Sequence, residues 1–176
     1  MSRKLAFFAM LAAGCLAATA MLLPGVARAQ DSAAKVKTSM AALKAETAKL
    51  GAPKLEGNDK VGDKDVPALY FGSSKINNNY AVVDAVVKQN GGTATLFVKS
   101  GDEYIRVSTN VKKPDGSRAT GTILDPNGKA IAAIKANQAF YGDVDILGKL
   151  YTTGYEPIHD GANAVIGIYY VGYVKE

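Results

Sequence analysis

Apolar residues set the first half of the chain to a helical rhythm. Val36, Met40, Leu43, Thr47 and Leu50 recur at spacings of four, three, four and three, with lysines and Glu46 on the other face. This predicts an amphipathic helix over about 31–50, N-capped by Asp31 or Ser32 and stopped by Gly51 and Pro53. Residues 51–67 are rich in Gly, Pro, Asp and Lys and read as a loop or linker. Ala68 to Phe71 is a short apolar patch. Asn77 to Asn79 cap a second helix, Tyr80 to Gln89, with Val83, Val86 and Val87 inward, and Asn90-Gly91-Gly92 ends it.

From Thr93 the period changes to two, the rhythm of strands. Thr93–Lys99 and Glu103–Val111 read as a hairpin around Ser100-Gly101-Asp102. Phe140–Ile146, Lys149–Ile158 and Ala164–Val174 read as three more strands. Between the two groups lie a polar loop, Lys112–Arg118, and a short helix, Lys129–Asn137, after the Asp125–Gly128 turn. Helices first, then five strands with one insertion, predict an α+β fold with an antiparallel sheet. The N-terminal helix is expected on one face of that sheet and residues 112–137 on the other.

Ahead of these elements, Arg3 and Lys4 precede an apolar run from Leu5 to Leu23, Pro24-Gly25 break it, and Ala27-Arg28-Ala29 offers a small-x-small cleavage motif. Residues 1–29 read as a secretory signal peptide that delivers the product to the periplasm. The run is also near the lower limit for spanning a bilayer, so an uncleaved inner-membrane anchor is the alternative. Residues 30–66 are expected to form the helix and linker, and 67–176 the main domain. The leader holds three basic residues and no acid, which leaves +2 of the chain's +5 for the rest. That balance argues against a nucleic-acid partner. Cys15, the sole cysteine, lies in the leader, and His159 is the sole histidine. Thiol chemistry, a histidine–cysteine zinc site and a Ser-His-Asp triad are therefore not expected; no catalytic residue, metal or cofactor is assigned.

Alternation along Glu103–Val111 puts Tyr104, Arg106, Ser108 and Asn110 on one side and Ile105, Val107 and Val111 on the other. Tyr151, Thr153 and Tyr155 share a side of their strand. Beneath the 112–137 cover this predicts a surface with a guanidinium, hydroxyls and phenols, edged by Lys112, Lys113 and Arg118. A guanidinium grips a carboxylate with two parallel charge-assisted hydrogen bonds, so such a surface suits a small organic anion. Arg118 could equally pair with Asp115 or Asp125, and the tyrosines could simply be cross-strand packing partners.

The segments GGTATLFV, DEYIRVSTNVKKPDGSRATGTILDPNGKAI, AFYGDVDILGKLYTTGYEPI and VIGIYYVGY closely resemble the Cache sensor domains of bacterial chemoreceptors and sensor kinases, in the Cache 3/Cache 2 fusion group. The resemblance runs from about Pro67 to Val174. It implies a PAS-like fold, a long N-terminal helix packed on a five-stranded antiparallel sheet, and an extracytoplasmic pocket for a small molecule, often an organic acid. Mapped onto this chain, the family pocket would take in Arg106, Ser108, Thr109, Lys112, Arg118, Tyr141, Tyr151 and Tyr155. A receptor or kinase would continue into an output module, whereas this chain ends at Glu176, soon after the last strand. The expected function is that of a stand-alone, non-enzymatic binding module acting through a membrane chemoreceptor or sensor kinase. The alternative is a periplasmic structural or interaction module without a ligand, in which the 31–50 helix pairs with its twin in a homodimer.

Overall fold

The computed structural model describes residues 24–175, with side chains from Asp31 onward. The apolar run expected as a leader core lies outside them. Helix α1 spans Pro24–Ala48. Asp31 and Ser32 therefore lie inside the helix, not at the N-cap expected for them. Val36, Met40 and Leu43 are buried, as the spacing predicts. Each such side chain contributes roughly 1.5–3 kcal/mol relative to exposure. This stripe packs into the domain's own core. The buried Thr47 hydroxyl bonds back to the carbonyls of Leu43 (3.1 Å) and Lys44 (2.9 Å), so no polar atom is wasted in that stripe. Gly51, at φ +122°, turns the chain where an added Cβ would stand 2.8 Å from the Gly72 backbone.

The stretch expected as a loop is sheet. β1 (Pro53–Val61) and β2 (Lys64–Phe71) pair antiparallel, and the short β3 (Ser74–Lys75) extends them in the order β1-β2-β3. β1 is solvated on both faces for most of its length, so it has no hydrophobic alternation to read. Its register also shifts between Leu55 and Asn58, around Gly57. β2 supplies the apolar content, burying Val66, Ala68, Leu69 and Phe71.

Helix α2 (Ala81–Asn90) follows, then β4 (Thr93–Ser100), β5 (Glu103–Thr109), helix α3 (Lys129–Lys135), β6 (Phe140–Ile146), β7 (Lys149–His159) and β8 (Val165–Val174). These five strands form an antiparallel sheet in the order β5-β4-β8-β7-β6. One face carries Ala94, Leu96, Val98, Ile105, Val107, Tyr169 and Val171 into a core shared with α1, α2 and β2. The other carries Phe97, Tyr104, Tyr151, Tyr155, Ile168 and Tyr170 against Ala119, Leu124, Ala130, Ile131 and Ile134 of the cover. The cover is stitched to β5 as well as packed on it. The Arg106 N–H bonds Thr122 O, Gly121 N–H bonds Arg106 O and Leu124 N–H bonds Tyr104 O, each at 2.9 Å. The fold is α+β, with helices on one face of a central antiparallel sheet and a loop-helix cover on the other.

Candidate functional site: the cover face of the sheet

Strict alternation fails at one place that matters. On β5, Arg106 pairs with Phe97 and Ser108 with Leu96, so Val107 is the extra residue of a bulge. Cross-strand partners share a face. Arg106 therefore joins Phe97 on the cover side, and Ser108 joins Leu96 on the helix side. Ser108 donates to Asn79 O (2.6 Å) and Asn78 N–H bonds Val107 O (2.9 Å), so the turn before α2 pins the bulge. Beyond it Thr109 pairs with Thr95, their hydroxyls 2.6 Å apart, and returns to the cover side. Val111, expected opposite Arg106, packs in the cover core.

Arg106 is 6% exposed. Its Nη1 donates to Thr122 Oγ1 (2.8 Å) and Ile123 O (3.1 Å), and its Cζ lies 4.9 Å from the Phe97 ring centroid. Nε is buried with no hydrogen-bond partner, and among the described residues no carboxylate pairs with this guanidinium. Burial lowers its pKa, partly offset by Tyr155 and Tyr170 nearby. Tyr155 is fully buried between Phe140 and Tyr170, with ring centroids 6.2 and 4.9 Å away. Its hydroxyl also lacks a partner, and burial pushes its pKa well up. Tyr151 lines the same face. Arg106, Thr109, Tyr151 and Tyr155 thus share the cover side.

The other expected residues lie elsewhere. Phe140 pairs with Tyr155, so Tyr141, its neighbour, faces the helix side over Gly154, where it donates to Glu156 Oε1 at 2.5 Å. Arg118 is committed to Asp84 of α2, with both guanidinium nitrogens at 2.8 Å, and lies 4.4 Å from the Tyr80 ring centroid. Hydrogen bonding to Asp84 raises its pKa, against a smaller effect of burial. Neither Asp115 nor Asp125 is its partner. Lys112 is exposed beside the cover and bridges Arg118 through the backbone. Sequence reasoning overlooked Phe97 and Thr122, which hold the guanidinium. The hydrophobic pattern marks Phe97 as core only, and Thr122 is one of several polar loop residues.

The Arg106 guanidinium is thus buried with Nε unpaired and no acid beside it among the described residues. Desolvating such a group costs several kcal/mol unless an anion compensates. Nothing on this face resembles a nucleophile beside a base. Helices on one side of the sheet, and on the other a loop-helix cover with a buried guanidinium beneath it, complete an α+β domain. The chain matches the Cache 3/Cache 2 fusion domain over residues 15–176 and belongs to that family. Domains of this family are extracytoplasmic sensory modules of chemoreceptors and sensor kinases. No curated protein matches the chain. No described helix is long and apolar enough to cross a membrane.

Proposed function

We propose that this protein is an exported, non-enzymatic sensor module that binds a small organic anion such as a carboxylate at Arg106. It acts through a membrane chemoreceptor or sensor kinase in chemotaxis or signal transduction. The observation that carries this is the buried guanidinium without an acid, beside a buried phenol without a partner. A carboxylate would accept from Nε and from the Tyr155 hydroxyl, completing both groups with charge-assisted bonds. Thr109 and Tyr151 stand on the same face; Lys112 and Arg118 lie at the cover's edge, outside this contact.

The test is a thermal-shift panel of mono- and dicarboxylates, amino acids, amines and nucleosides. At a hundredfold excess over Kd, ligand stabilises by about 2.7 kcal/mol, which gives several degrees at this size. Arg106→Met is expected to fold and to abolish a shift caused by an anion; a retained shift rejects the role of Arg106. A second reading draws on the apolar residues of the cover, which pack directly onto the sheet face. In it, Arg106 only tethers Thr122 and Ile123, and the module binds partners without a small ligand. Silence across the whole panel, with Arg106→Met destabilised, favours that reading.

A further inference from the structure

Three exposed apolar side chains gather at one end of the molecule, at the tip of the β6–β7 hairpin and beside it. Leu147 is 46% exposed, Leu150 45% and Val174 51%. Ile146 pairs with Lys149, leaving Leu147 and Gly148 as a two-residue turn, with φ of 54° and 82°. Positive φ at both central positions marks the mirror-image hairpin turn that favours Asn, Asp and Gly. Leucine at its first position has neither a conformational nor a burial reason to be there. Conflicts of that kind between local preference and position collect at functional sites.

The helix register shows what this end faces. Ser39 of α1 contacts Tyr173 (2.7 Å) and Thr47 contacts Tyr169 (3.4 Å), so α1 runs antiparallel to β8. Thr152 is level with Tyr173. From Ser39 back to Gln30 the helix rises about 13 Å. From Thr152 back to Gly148 the strand covers about the same 13 Å. The hairpin tip is therefore level with Gln30, and Pro24 lies about 9 Å further out. There α1 joins the apolar run Leu5–Leu23. With residues 1–29 retained as the inner-membrane anchor, a bilayer that takes up this run has a headgroup layer about 5–8 Å thick, whose surface ends about 1–4 Å short of the tip.

We propose that, in the membrane-anchored form, the β6–β7 tip is a membrane-surface contact, with Leu147 at the apex and Leu150 beside it meeting the headgroup surface of a phospholipid bilayer. The charges at this end leave the leucines to decide. Lys175 pairs with Asp143, and Asp145 accepts from Gly148 N–H (3.0 Å), so Lys149 is left to lie along the headgroups.

The experiment uses the full chain with Cys15→Ser, reconstituted into phosphatidylethanolamine–phosphatidylglycerol vesicles containing spin-labelled lipid. An environment-sensitive fluorophore is placed at Lys149→Cys or, as the distant control, at Leu55→Cys beside the other end of α1. Expected are a blue shift and lipid quenching at position 149 and neither at 55. Adding Leu147→Asn and Leu150→Gln should return position 149 to the level of the control. Because asparagine suits the turn, Leu147→Asn alone should raise the melting temperature. Equal signals at 149 and 55 overturn the proposal. So does quenching at 149 that survives both leucine replacements, since the tip would then be merely near lipid.

Discussion

The two faces of the five-stranded sheet are built from the same residue types and finished differently. On the helix face the tyrosines are satisfied. Tyr173 donates to Asn90 O and accepts from Ser39, both at 2.7 Å, and Tyr169 receives Thr47 at 3.4 Å. On the cover face the Tyr155 hydroxyl and Arg106 Nε have no partner. Buried polar groups are almost always paired, so unpaired ones need a reason. The tyrosines of the helix face are completed by the protein's own groups, whereas the cover face keeps a buried cation and a buried phenol with unpaired atoms.

Four substitutions can break or sharpen that contrast. Leu43→Ala, in the helix-face core, is expected to cost about 2–5 kcal/mol in urea denaturation, since a leucine-sized cavity opens where packing is complete. Tyr173→Phe should cost about 1 kcal/mol, because Asn90 O and Ser39 each lose a partner. Tyr155→Phe should go the other way without ligand. Removing a buried hydroxyl that bonds nothing leaves stability unchanged or raised by up to about 1 kcal/mol, while the shift caused by a bound anion shrinks. Equal losses for the two phenylalanine variants would erase the distinction between the faces.

The smallest effect is electrostatic. Burial pushes the Glu156 pKa up, but hydrogen bonds from Lys44 and Tyr141 outweigh it and leave the value below the ordinary one. A lowered folded-state pKa stabilises above the unfolded value and is lost as pH falls through the folded one. Lys44 is half exposed, so the contribution is a few tenths of a kcal/mol. Glu156→Gln should flatten the acid side of a stability-versus-pH curve by that amount; an unchanged slope below the ordinary glutamate value, about 4.3, would show that the pair contributes nothing.

Particular residues show why some of this was legible in sequence and some was not. Strands β4 to β8 were readable because each is punctuated by turn residues and keeps a period of two over most of its length. β1 was not, because Glu56 to Lys60 faces water on both sides and owes its strand to pairing with β2. Arg106 was placed on the correct face by counting. Ser108 was not, since a single extra residue at Val107 reverses the count and nothing in the sequence announces a bulge. Tyr141 was grouped with Tyr155 by family likeness, whereas the β6–β7 register sends it to the opposite face. Arg118 found its acid on α2, thirty-four positions away in sequence, at a distance no local pattern encodes.

The cover's stitching to β5 has a consequence for self-association. With residues 121–124 laid along it, that flank of the sheet offers no free ladder of main-chain groups at Tyr104 and Arg106. Among the described strands of this sheet, β6 is the remaining open flank, and it carries Asp143 and Asp145. A fibril grows only from units that can be joined on both sides. Strand addition to the five-stranded sheet is thus confined to the β6 flank, and this sheet cannot be extended from both sides.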